Sequence, residues 1–209
     1  MQPVLFANVI TDLADWLGEF SANWWFLLII FVIAILDSVI PIVPSETMVI
    51  IGGVAAGAGD QSLLLVILFG ASGAFIGDHT AYFIGNHLSG WIERQAESRP
   101  KQKNRLVWAE EQIRVRGGLL LITARFIPGG RTALTISSGV TRQPRRWFTS
   151  WITAAVLIWA TYAALLGYIG GKAFEDDHTR AFLVAFGAAI TATVLIEVGR
   201  HYWTKLRSR

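Results

Sequence analysis

Residues 117–140 read GGLLLITARFIPGGRTALTISSGV, and residues 37–58 read DSVIPIVPSETMVIIGGVAAGA. Each stretch has an apolar arm, a proline-centred break with a charge beside it, and a second apolar arm ending in glycine and small residues. Proline removes an amide donor and interrupts a helix. Interrupted backbone at membrane depth persists only where protein or a water-filled cavity covers it. At 24 and 22 residues respectively, each stretch suits a hairpin that dips into the bilayer and returns better than it suits one straight span.

The remainder of the chain points to the same solvent. Of 209 residues, 53% are hydrophobic and only 16% charged, whereas soluble domains carry about 25% charged residues. Mean hydropathy is +0.48. This balance argues against a water-soluble globule and against disorder, which needs low hydrophobicity and high charge. The absence of cysteine removes any disulfide framework or thiolate metal site. The length allows a single membrane domain over 1–209, with room for an internal repeat.

Spanning helices need about 20 mostly apolar residues. Leu63–Ile84 contains one charge, Asp78; Trp147–Ile169 contains none; Ala181–Val198 carries Glu197 at its end. A fourth run starts at Trp24 and stays apolar to Leu36. Upstream, residues 1–23 place Phe6, Ile10, Leu13, Leu17 and Phe20 at helical spacing. That predicts an amphipathic helix lying on the membrane or against the bundle. Asp12, Asp15 and Glu19, with no basic n-region, argue against a signal peptide. Several of the nine tryptophans edge the apolar runs, where rings sit at headgroup level.

Topology follows from lysine and arginine. The basic segment 91–116, Arg142 with Arg145 and Arg146, and the tail 199–209 all predict cytoplasmic loops, while 171–180, with three acidic and two basic residues, suits the outside. Four spans then put both termini in the cytoplasm. The first hairpin, 37–58, enters from outside and the second, 117–140, from the cytoplasm. The expected fold is therefore an all-α integral membrane protein of four transmembrane helices and two opposed re-entrant hairpins, an inverted repeat of the transporter kind.

Asp37, Glu46, Arg125 and Arg131 lie inside apolar sequence. A charge at the bilayer centre costs roughly 2.5–3.5 kcal/mol on insertion scales, so four are tolerable only if they pair or face water. Opposed hairpins would bring the carboxylates of the first to the guanidiniums of the second. Broken helices meeting at the midplane are a transporter device; the same pairs could equally staple the hairpins, and the two roles are compatible. Arginine stays charged and grips phosphate through two donors, which makes Arg125 and Arg131 candidate contacts for an anionic headgroup. Gly129 and Gly130 would let backbone amides approach the same anion. Asp37 and Glu46 are the candidates to load and release a proton as their partners come and go.

Gly73, Gly77, Ala81 and Gly85 recur every four residues, a stripe that lets another helix pack closely. Asp78 follows Gly77 and either joins the polar site or hydrogen-bonds a neighbouring helix. Asp60 belongs to an exposed turn after the first hairpin. His79 and His87, eight apart, form no metal-ligand pattern, and neither a metal nor a cofactor is expected. Gly70-Ala71-Ser72-Gly73-Ala74 lacks the last glycine of a nucleophile elbow and lies in an apolar helix. No P-loop or dinucleotide fingerprint is present, and the basic segment reads as a solvated loop touching anionic lipid rather than as a nucleic-acid site.

At these residues the chain resembles the DedA family of membrane proteins, also called SNARE-associated or VTT-domain proteins. One feature is Asp37-Ser38 followed by Pro44-Ser45-Glu46-Thr47; a second is Gly77-Asp78 with Tyr82, Gly85 and Gly90. The third and most specific is Arg125-Phe126-Ile127-Pro128-Gly129-Gly130-Arg131-Thr132, followed by Ser138-Gly139 and Trp147-Phe148. Family members usually carry glutamate where this chain has Asp37. The resemblance implies two facing re-entrant hairpins and a function among undecaprenyl-phosphate translocases, proton-dependent transporters and phospholipid scramblases. It maps the family's functional acids and arginines onto Asp37, Glu46, Arg125 and Arg131.

The leading expectation is a flippase of a bacterial inner membrane that returns undecaprenyl phosphate, or a similar anionic lipid phosphate, across the bilayer with proton coupling. The alternatives are a proton-coupled exporter of small cations, held by Asp37 and Glu46, and a passive phospholipid scramblase. A lipid phosphatase would need a histidine near the basic residues, and His79, His87, His178 and His201 lie away from the Arg-Phe-Ile-Pro-Gly-Gly-Arg motif in sequence. A scaffold would not need four buried charges. Partners are thus membrane lipid and protons, without nucleic acid, with a homo-oligomer left open.

Overall fold

The structure is a computed structural model describing residues 20–40, 44–97, 115–127 and 129–173, together with 104, 107, 108, 111 and 113. The expected amphipathic segment 1–23 falls outside it except for its last residues, and the expected span Ala181–Val198 and the tail 199–209 fall outside it altogether. All regular structure among the described residues is helical: α1 Trp25–Val39, α2 Ser45–Gly57, α3 Leu63–Glu97, α4 Leu119–Thr123 continued by a 3-10 turn Ala124–Phe126, α5 Gly130–Val140 and α6 Arg145–Ala173.

Leu63–Trp91 and Arg145–Ala173 are each 29 residues long and apolar enough to cross a membrane; at about 1.5 Å per residue each exceeds the roughly 30 Å hydrocarbon core. α1 and α2 are shorter apolar helices. α1 stops two residues before Pro41, because the residue ahead of a proline is pushed out of helical backbone. The described residues of the basic segment 91–116 are helical. α3 continues through Glu97, and residues 104, 107, 108, 111, 113, 115 and 116 are also helical. Glu93, Arg94, Gln95, Ala96 and Glu97 are strong helix formers, and charge marks the side of the membrane rather than the local conformation.

The described residues divide into two compact units: those within 20–30, 44–70 and 160–173 form one, and those within 31–40 and 71–159 the other. In the first, α2 and the end of α6 touch backbone to backbone. A Cβ on Gly53 would lie 2.3 Å from the Ala164 carbonyl oxygen, and one on Gly167 would lie 2.1 Å from that of Ile50. Phe26, Ile30, Val49 and Val66 fill its interior. Lipid is as apolar as leucine, so such packing, rather than a hydrophobic driving force, holds membrane helices together.

In the second unit, the glycine stripe of α3 serves two helices. A Cβ on Gly73 would meet the Phe31 carbonyl oxygen of α1 at 2.3 Å, and one on Gly85 would meet that of Ile136 in α5 at 2.3 Å. The turn after α5 is a Schellman motif: the Arg142 amide donates to Gly139 O and the Gln143 amide to Ser138 O, both at 3.0 Å. Its left-handed position, usually glycine, is Arg142 at φ 53°. The Tyr82 hydroxyl donates to Gln143 O at 2.6 Å, and the Tyr82 ring stacks on Phe148 with centroids 4.5 Å apart, which ties this turn to α3 and α6.

Candidate functional site

The polar centre of the second unit is assembled from four helices and one broken segment. At the end of α1, Ser38 faces α3 because Gly77 leaves room for it, and Asp37 precedes it. A Cβ there would sit 2.4 Å from Ser38 Oγ. One residue on, Asp78 has no solvent exposure. Arg125 belongs to the 3-10 turn that ends the first arm of the 117–140 stretch. Ile127 is extended, and Gly129, at φ 69°, turns the chain through left-handed backbone into α5. Glycine occupies that conformation without the clash a side chain would bring. Arg131 is the second residue of α5, so the break places two arginines six residues apart on either side of one reversal. α6 adds Trp159, 5% exposed.

Asp78 is the hub. Its Oδ2 accepts from Arg125 Nη1 at 2.6 Å and its Oδ1 from Arg131 Nε at 2.7 Å. Arg131 Nη1 donates to Asp37 Oδ2 at 3.1 Å, and Arg131 Nη2 to Ser38 Oγ and, at 3.4 Å, to Ala74 O. Ser38 Oγ in turn donates to Ala34 O at 3.0 Å. The guanidinium carbons of Arg125 and Arg131 lie 5.4 and 5.8 Å from the centroid of the Trp159 ring, within reach of cation–π attraction. Two carboxylates and two guanidiniums balance in formal charge. Buried ions of this kind persist only when paired and hydrogen-bonded.

Of the residues expected at the site, Asp37, Arg125 and Arg131 come together, and Asp78, left open between two roles, is the residue that joins them. Glu46 stands exposed in the first turn of α2, in the other unit. Gly129 and Gly130 form the reversal; the Gly130 amide donates to Ile127 O at 2.8 Å. Asp60 is exposed in the turn after α2. His79 is held between two helices: Nδ1 meets Phe75 O at 2.9 Å, which fixes it as the donor, and Nε2 lies 3.0 Å from Thr149 Oγ1. Ser38 and Trp159 were missed. A serine in an apolar helix gives little signal. Trp159 gave one, since it lies mid-run in Trp147–Ile169, where no headgroup-level ring belongs.

No solved structure matches the chain. Among curated proteins, the inner membrane protein YohD of Escherichia coli is 27% identical over 170 residues, 78% of this chain and 84% of its own length. Undecaprenyl phosphate transporter A of Bacillus subtilis is 26% identical, covering 75% of this chain and 80% of that protein. A protein of Lactococcus lactis named alkaline phosphatase-like is 25% identical, covering 81% and 85%. Residues 43–169 match the VTT domain, well over half of the chain and containing Asp78, Arg125, Arg131 and Trp159. The chain belongs to the VTT-domain, or DedA, family of membrane proteins.

Proposed function

We propose that this protein is a transporter, not an enzyme, that moves an anionic lipid phosphate across a bacterial inner membrane, with undecaprenyl phosphate as the substrate and protons as the coupling ion. The observation that carries the reading is the buried Arg125–Asp78–Arg131–Asp37 cluster. Two always-charged guanidiniums at a helix break are suited to an oxyanion, and a relative is named for undecaprenyl phosphate transport. In this reading 37–58 and 117–140 are re-entrant hairpins entering from opposite sides, the four spans put both termini in the cytoplasm, and 1–209 is one membrane domain.

An anion held by Arg125 would add negative charge beside Asp78 and Asp37, and that excess carboxylate charge is what a proton would neutralise. Asp37 and Glu46 are the proposed carriers, because a carboxylate changes charge with its partners while arginine does not. The cation-exporter reading is less well supported, since Asp37 and Asp78 both engage arginine. The test is translocation in proteoliposomes under imposed pH gradients, with undecaprenyl phosphate and zwitterionic phosphatidylcholine as substrates. Gradient-dependent movement of the phosphate lipid alone is expected, with the dependence lost in Glu46→Gln. Equal, gradient-independent movement of both lipids would make the protein a passive scramblase.

A further inference from the structure

The two guanidiniums that meet at Asp78 use their edges differently. Every nitrogen of Arg131 is engaged: Nε by Asp78 at 2.7 Å, Nη1 by Asp37 at 3.1 Å, and Nη2 by Ser38 Oγ and the Ala74 carbonyl. Arg125 uses only Nη1, on Asp78 at 2.6 Å. Among the described residues its Nε and Nη2 are buried without a hydrogen-bond partner, and the side chain is 1% exposed. Buried donors without acceptors are costly and rare, and call for an explanation such as a ligand. The two are not scattered. Nε–H and the adjacent Nη2–H lie on one edge of the guanidinium and point in parallel, the fork that grips two oxygens of one phosphate. Asp78 holds the opposite corner, and the ring of Trp159 lies 5.4 Å from the guanidinium carbon.

We propose that the two arginines divide the labour of the site: the Nε–Nη2 edge of Arg125 grips the anion, and Arg131 is a positioning residue. This rests on the reading of the substrate as a lipid phosphate. Arg131 acts through Asp78. It fixes one carboxylate oxygen while the other fixes Arg125, so the free fork of Arg125 is aimed by a carboxylate that cannot rotate. Ser38 and Asp37 lock Arg131 from α1, and Trp159 lies against both guanidiniums. An arginine committed on all sides has no fork to offer a ligand. One held at a single corner has its complete side-on fork.

The two roles respond differently to lysine. At position 131 a positive charge on Asp78 is the requirement, which lysine meets; at position 125 the planar fork is the requirement, which lysine lacks. The experiment measures equilibrium binding of undecaprenyl phosphate to the purified full-length protein in detergent, with thermal melting on the same samples. Arg125→Gln and Arg125→Lys should both weaken binding by about tenfold or more, the loss of a charge-assisted bond, with melting close to wild type for the lysine variant. Arg131→Gln should melt early and bind weakly, and Arg131→Lys should recover binding to within about threefold of wild type.

Displacement of the lipid by inorganic phosphate would support a headgroup contact at Arg125. Uncharged undecaprenol binding as tightly as undecaprenyl phosphate would overturn it. Arg125→Lys binding like wild type, or a folded Arg131→Lys that stays as weak as Arg131→Gln, would overturn the division. Should neither Arg131 variant fold, the Arg125 pair decides alone. A wild type that binds no undecaprenyl phosphate sinks the lipid-phosphate reading itself, a failure distinct from a lysine variant that binds normally.

Discussion

Asp78→Asn should be the most damaging isosteric change in the second unit. The wild-type carboxylate is fully buried and accepts two charge-assisted bonds, at 2.6 Å from Arg125 and 2.7 Å from Arg131. Each such bond contributes about 1.5–3 kcal/mol. Asparagine keeps one acceptor oxygen but turns an NH2 group toward the other guanidinium. Arg125, 1% exposed, is then left without its ion-pair partner, and removing one member of a buried pair costs about 3–5 kcal/mol. Asp37→Asn is the internal comparison: its carboxylate is 21% exposed and meets Arg131 at 3.1 Å, so about 1 kcal/mol is expected, near the value for exposed pairs. Denaturant unfolding in mixed micelles, followed by tryptophan fluorescence, gives both numbers. A loss below about 1 kcal/mol for Asp78→Asn, or equal losses for the two variants, would refute the hub role, because buried and half-open pairs differ by more than that.

Gly77→Ala would place a Cβ 2.4 Å from Ser38 Oγ and 2.7 Å from Ile35 O; overpacking of this kind costs about 1–3 kcal/mol. Gly90→Ala, which meets nothing within 4 Å, should instead gain about 0.5–1 kcal/mol in the same unfolding assay. Arg142 sits at φ 53°, so Arg142→Gly should be more stable than Arg142→Ala by about 1 kcal/mol. Because the chain has no cysteine, single cysteines report topology cleanly. At Lys101 and Arg207 they should resist an impermeant thiol reagent in intact cells, and at Asp176 one should react; reaction at Lys101 would invert the proposed orientation.

The helix break was readable because Pro128, Gly129 and Gly130 carry their conformation in their own chemistry. A residue without an amide donor and one that tolerates φ 69° leave the backbone few choices. The three charges Asp37, Arg125 and Arg131 were readable because apolar sequence makes them expensive. Partner choice was not. Glu46 reads as an equal of Asp37, yet it stands exposed at the start of α2, while Asp78 takes the arginines. Pairing depends on which helices approach, and that is set by where Gly73 and Gly77 admit α1 against α3. The glycine stripe announced a close contact without naming the helix that makes it. The helical state of the described residues in the 91–116 segment was hidden by their charge.

The most direct measurement of whether a buried arginine fork handles a lipid phosphate is the initial rate of undecaprenyl phosphate translocation in proteoliposomes, wild type against Arg125→Lys at equal amounts of folded protein. Wild type should move the phosphate lipid, and Arg125→Lys, which keeps the charge but not the fork, should be slower by about tenfold or more. A lysine variant as fast as wild type would contradict the claim that the guanidinium of Arg125 holds the substrate.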